Sequence, residues 1–77
     1  MPLRILIVEN EELIALDLQD ILEAAGHTVV GRVATLSGAM ALACKQRPTV
    51  ALVDMELVHA GPVKAFQDDV LVAMGLA

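Results

Sequence analysis

The sequence predicts an α/β protein whose elements follow the order βαβαβα around a parallel sheet. Three short, largely apolar runs, 3–8, 28–33 and 49–54, have the character of buried strands. Two stretches between these runs and one after the last carry apolar residues at helical spacing. Because strands that alternate with helices form parallel sheets through right-handed crossovers, a three-stranded parallel sheet is expected.

The first helix is expected directly after the first strand. Asn10 is a suitable N-cap, and Glu11 and Glu12 place negative charge in the first turn, where the helix dipole favours it. The helix is expected to end near Ala25, because Gly26 favours a helix stop. Its predicted apolar face is Ile14, Leu18, Ile21, Leu22 and Ala25.

The second strand and helix follow the same logic. Thr28–Val33 predicts a strand, and Thr35 or Ser37 can cap a helix that reaches about Gln46 before Pro48 ends it. A third strand is expected at Thr49–Asp54, and Pro62 suits the first turn of a third helix. The apolar positions of that third helix are Val63, Phe66, Val70 and Met74.

Composition narrows the classes of function. The chain has 77 residues, which suggests one domain over 1–77, and a net charge of -5 with five Lys and Arg. Nucleic acid is not an expected partner, because phosphate binding needs clustered cations. No apolar run is long enough for a membrane helix, and the lone Cys44 excludes an internal disulfide or a cysteine-based zinc site. These features fit a cytoplasmic protein.

Polar side chains follow two of the predicted strands where each strand ends. Glu9 and Asn10 come after the first apolar run, and Asp54 ends the third. Ligands of open α/β sheets bind beyond the carboxyl ends of the strands, so these groups are expected to converge on one small polar site. Asp54 is therefore the leading functional candidate among the carboxylates.

Three stretches in this order resemble the receiver domain of two-component response regulators. Arg4–Glu11 resembles the first strand with its acidic pair, and Ala24–Gly31 resembles the first helix end with the second strand. Pro48–Leu57, followed by Gly61, resembles the strand that carries the phosphoacceptor, with its loop. The resemblance implies half of a flavodoxin-like doubly wound receiver fold, truncated after the third helix.

The same resemblance implies a signalling function without enzyme turnover. Asp54 would accept a phosphoryl group from a histidine kinase or a phosphotransfer protein. Glu9, Asn10, Asp54 and the backbone carbonyl of Glu56 would hold Mg²⁺. The second acidic position of the family is Asn10 here, so a weak metal site is expected. The family's later switch Ser or Thr and phosphate-binding Lys have no counterpart, and Lys64 is not equated with that Lys.

Two alternatives come from other classes of function. Asp54-Met55-Glu56 weakly resembles the nucleophile motif of haloacid dehalogenases, which would make the chain an Mg²⁺-dependent phosphotransfer enzyme. The second alternative is an interaction module without chemistry. It draws on the 57% hydrophobic content, which exceeds what a small globule normally needs.

A homodimer is also expected from the sequence. In a receiver-type order of three strands the third strand lies at the edge of the sheet, and here that strand carries the apolar residues Val50–Val53. Bare apolar edges template pairing with another chain, so two copies are expected to join through their third strands.

Overall fold

A computed structural model describes residues 2–53 in full and residues 71–74 as backbone. Its elements are β1 (Arg4–Val8), α1 (Glu12–Ala24), β2 (Thr28–Val33), α2 (Leu36–Gln46), β3 (Val50–Val53) and β4 (Leu71–Met74). All the strand pairs are parallel, and the sheet has the order β2-β1-β3-β4. The predicted α/β class and parallel sheet are confirmed, and the first five elements lie within about a residue or two of their expected bounds.

Strand β1 is buried on both of its faces. Leu6 and Val8 pack with β3 and with Leu36 and Ala39 of α2. Ile5 and Ile7 point to the opposite face, where they pack with Ala15 of α1 and with β3. Because side chains alternate across a strand, this double burial requires the continuous apolar run that the sequence shows.

Helix α1 begins one residue later than expected. Its N-cap is Glu11, which makes no side-chain capping hydrogen bond, whereas Asn10 lies outside the helix and is exposed. The prediction that Asn10 caps this helix is therefore wrong. Of the two acidic residues predicted for the first turn, Glu12 lies in it. The predicted helix stop is confirmed, because Gly26 has a φ of 92°, a conformation that favours glycine.

The apolar face of α1 is narrower than predicted. Ala15 is its buried centre, and Leu18 and Leu22 pack beside it. Ile21 is 61% exposed, and Ala25 is exposed at the helix end, so the prediction for these two positions is wrong. The reason is geometric: each residue turns the helix by about 100°, so Ile21 lies well to the side of the line through Ala15 and Leu22.

Both ends of α2 agree with the prediction. Thr35 is the N-cap, and its side-chain oxygen accepts a hydrogen bond from the backbone N–H of Gly38 at 3.1 Å. The helix ends at Gln46, and Arg47 takes a left-handed conformation with φ 48°. Its inner side packs on the sheet through Leu36 and Ala39.

The third predicted helix and the third-strand edge need correction. Leu71–Met74 is a strand, so Met74 belongs to β4; the rest of the expected helix lies outside the described residues. Because β4 pairs with β3 from Val50–Leu71 to Val53–Met74, β3 is not an edge. The sheet that the described residues form has four strands where three were expected. The structural premise of a dimer through the third strand is therefore wrong. Short apolar runs fit helix and strand periods equally well.

The pairing of β1 with β2 contains a bulge at Val30. Ile5 pairs with Val29, but Leu6 pairs with Gly31. Gly31 lies directly against the side chain of Leu42 from α2, and a Cβ atom at Gly31 would overlap the Leu42 Cδ2 atom. The close approach of α2 to β2 thus favours glycine at this position, because a larger residue would force the Leu42 side chain to shift.

Gly31→Ala is expected to destabilise the protein by about 1 to 3 kcal/mol, because the added methyl group overpacks the contact with Leu42. The measurement is urea unfolding followed by circular dichroism. Leu42→Val, which removes both Cδ atoms, serves as the matched background. In the Leu42→Val background, the loss of unfolding free energy caused by Gly31→Ala should fall to well under half. An equal loss in both backgrounds would show that Leu42 is not the obstacle.

Candidate functional site

The carboxyl ends of the strands meet at one edge of the sheet. Val8, the last residue of β1, pairs with Val33 of β2 on one side and with Val53 of β3 on the other. The backbone N–H of Glu9 donates a hydrogen bond of 2.9 Å to the Val33 carbonyl, which continues the pairing one residue beyond β1. Glu9 is therefore held at the centre of this edge by backbone contacts.

Glu9 is the one charged residue that is buried in residues 2–53, with 5% of its surface exposed. Its Oε2 atom accepts a hydrogen bond of 3.0 Å from the backbone N–H of Glu11. This bond closes the short turn between β1 and α1. A buried carboxylate at the carboxyl edge of a parallel sheet agrees with the placement that the sequence predicted for this residue.

The other predicted site residues are placed less completely. Asn10 follows Glu9 in the turn and is exposed. Asp54 follows Val53 directly in the sequence, but Asp54 and Glu56 lie outside the described residues. The register of Val8 with Val53 brings the end of β1 beside the end of β3, which is the arrangement that convergence of Glu9 and Asp54 requires.

The donor set of this edge fits a hard cation in its chemistry. Glu9 and Asn10 offer carboxylate and amide oxygens, the ligand type that Mg²⁺ prefers. Within residues 2–53 and 71–74, no three His, Cys, Asp or Glu side chains are grouped closely enough to hold a metal ion. A site here would thus need Asp54 and the Glu56 carbonyl in addition to the described pair.

Sequence reasoning missed one charged residue at this edge. Arg32, near the end of β2, places its Nη1 atom 3.8 Å from Oε1 of Glu12 in the first turn of α1. This ion pair links β2 to the beginning of the helix that follows Glu9. A possible signal was present in the sequence, since Arg32 is the one cation within an otherwise uncharged strand run.

Comparisons with known proteins agree with this architecture. No established family profile matches the chain. The response regulator PhyR from Brucella abortus superposes with a TM-score of 0.81 at 31% identity, over 96% of this chain and 33% of that one. The receiver domain of PhyR from Erythrobacter litoralis, determined by NMR, superposes with a TM-score of 0.78 at 30% identity, over 95% of this chain and 61% of that one.

The chain is homologous to response regulator receiver domains of two-component signalling, and it matches their N-terminal part. Within that class its relatives are PhyR proteins. It is 41% identical over 58 residues to the phyllosphere-induced regulator PhyR of Methylorubrum extorquens, a match that covers 74% of this chain and 22% of that protein. The chain thus spans about a fifth to a third of the full-length relatives.

A further structure in this group is a complex. PhyR from Bartonella quintana, described as an anti-anti-sigma factor, is bound to the anti-sigma factor NepR in a structure with a TM-score of 0.80 and 27% identity to this chain. As to membranes, neither helix in the described part of the chain has the length and apolar character to cross a bilayer.

Glu9→Ala is expected to lower the free energy of unfolding by about 0.5 to 1.5 kcal/mol, because the partly buried hydrogen bond from the backbone N–H of Glu11 loses its acceptor. Glu9→Gln keeps a side-chain oxygen at the same distance along the chain and should cost clearly less. Urea unfolding of both variants gives the comparison. Equal losses for Ala and Gln would mean that the hydrogen bond to Glu11 does not stabilise the turn.

Proposed function

We propose that this chain works as a phosphoryl-accepting receiver, with Asp54 as the acceptor and with Glu9 as the described part of a weak Mg²⁺ site. The observation that carries the proposal is the buried Glu9 carboxylate at the carboxyl end of β1, beside the end of β3. Homology to receiver domains of response regulators supports the same assignment. The donor would be a histidine kinase or a phosphotransfer protein.

The reaction would be a displacement at phosphorus. A carboxylate oxygen of Asp54 attacks the phosphorus atom and forms a new P–O bond, while the P–N bond to the donor histidine breaks and the electron pair leaves with the imidazole. Mg²⁺, when bound, supplies positive charge to the phosphoryl oxygens. Glu9 would help to hold the cation at the edge, and its hydrogen bond with Glu11 keeps that carboxylate oriented.

The output would be a protein–protein interaction. The PhyR of Bartonella quintana binds an anti-sigma factor. We extend this class of partner to this chain, with phosphorylation of Asp54 as the control of binding. The low number of cations, five Lys and Arg against ten Asp and Glu, favours a protein partner over nucleic acid.

Asp54→Asn is expected to abolish phosphoryl transfer, because the amide has no nucleophilic carboxylate oxygen. The protein is incubated with Mg²⁺ and acetyl phosphate, which yields acetate as leaving group, and its intact mass is measured. The unaltered protein should gain one phosphoryl group, and Asp17→Asn on the exposed face of α1 should gain it equally. Steady release of phosphate without a labelled protein would indicate a phosphotransfer enzyme, and no reaction would indicate a pure interaction module.

Asn10→Asp is expected to tighten Mg²⁺ binding by about tenfold or more. A unit charge at ~4 Å is worth roughly 4 kcal/mol at an effective dielectric of about 20, and desolvation offsets part of this. Isothermal titration calorimetry gives the dissociation constant. Ala41→Asp, on the exposed side of α2, adds the same charge away from the edge and should leave the affinity nearly unchanged. An unchanged affinity for Asn10→Asp would rule out the proposed geometry.

A further inference from the structure

Positive charge is distributed unevenly over the two ends of the sheet. Arg4 opens β1, and its guanidinium donates a hydrogen bond to the Gln46 carbonyl at the end of α2. Lys45 and Arg47 lie at that same end of α2. Three of the described cations are therefore at the amino end of the sheet. Among the residues that the structure describes, Arg32 alone brings a cationic side chain to the carboxyl end.

The bulge in β2 determines which face of the sheet Arg32 occupies. Val29 packs on the α1 side, whereas Val30 and Val33 both pack on the α2 side. Strict alternation would put Val30 and Val33 on opposite faces, so one reversal must lie between them, and the register shift supplies it. Arg32 consequently faces α1, where its guanidinium meets Glu12.

The edge that Arg32 reaches is strongly acidic. Glu9, Glu11 and Glu12 lie within four consecutive positions, and Asp54 and Glu56 follow β3 in the sequence. Arg32 pairs with Ile7, two residues before Glu9, and the carbonyl of the next residue, Val33, accepts the hydrogen bond from the Glu9 N–H. A phosphoryl donor is an anion, so an edge with this composition attracts a metal cation and repels the donor.

We propose that Arg32 is a steering residue for the anionic phosphoryl donor, held at the carboxyl edge by Glu12. This inference rests on the proposed phosphoryl-accepting function and adds a residue to it. The positive charge of Arg32 lowers the repulsion between the donor and the acidic edge. The same charge weakens the attraction for Mg²⁺, so Arg32 acts in opposite directions on the two ligands.

A purely structural role for the pair makes a different prediction. The Arg32 side chain is 33% exposed and that of Glu12 is 80% exposed, and exposed ion pairs contribute little to folding. A structural role would therefore give a small loss of stability, with metal affinity and labelling rate falling together. A steering role changes the Mg²⁺ affinity and the labelling rate in opposite directions, because Mg²⁺ is a cation and the phosphoryl donor is an anion.

The test compares Arg32→Gln with Lys45→Gln, which removes the same charge from the opposite end of the sheet. Arg32→Gln should slow labelling by acetyl phosphate by about two- to fivefold and tighten Mg²⁺ binding by about two- to fivefold, and both changes should shrink at high salt. Arg32→Lys keeps the positive charge, so its labelling rate and Mg²⁺ affinity should match those of the unaltered protein. Labelling is followed by intact mass at saturating Mg²⁺, and Mg²⁺ affinity by calorimetry on the unphosphorylated protein.

A second variant tests the same charge balance from the other side. Glu12→Gln removes a negative charge from the edge and leaves the positive charge of Arg32 uncompensated there, so it should speed labelling and weaken Mg²⁺ binding. If the unaltered protein binds Mg²⁺ and is labelled, but Arg32→Gln matches Lys45→Gln, the steering role is overturned and the receiver function stands. Metal affinity and labelling that fall together in Arg32→Gln would also overturn it. An unaltered protein that shows neither property would overturn the proposed function itself.

Discussion

Burial of β1 on both faces is the constraint on which the rest of the structure depends. Leu6 and Ile7 are both fully buried, and they point to opposite helices. Burying side chains of this size stabilises the fold by about 1.5 to 3 kcal/mol each. The buried backbone N–H and C=O groups of this strand also need hydrogen-bond partners, and β2 and β3 on either side provide them. The layers of the protein follow from this one strand.

The site follows from the end of the same strand. Beyond Val8 the chain must leave the core, and Glu9 is the residue at that boundary. Its surface is only 5% exposed, although its side chain is a carboxylate. The N–H of Glu11 and the carbonyl of Val33 hold it through hydrogen bonds. A carboxylate placed in this way cannot relax freely into solvent, which is the kind of preorganisation that a metal or phosphoryl site uses. Arg32, the one described cation at this edge, faces α1 and pairs with Glu12 there because of the bulge in β2.

Local patterns predicted most of the described elements, and the errors have identifiable physical causes. Asn10 has the side chain of a good cap, but Glu11 became the N-cap because the turn closes on the Glu9 carboxylate. Ile21 matched the helical spacing, yet the face of α1 centres on Ala15, whose small side chain allows close contact with the sheet. Met74 matched a helix period and belongs to a strand. Periodicity does not report which neighbour an element will meet.

The sequence by itself determined the alternation of strands and helices, the buried character of β1 and β3, a cap for α2 at Thr35 or Ser37, and the stop at Gly26. These depend on residues that are near one another in the chain. Only the tertiary structure decided that β4 covers β3 and that Arg32 faces α1. Both depend on register between strands distant in sequence, and a shift of one residue there moves a side chain to the other face of the sheet.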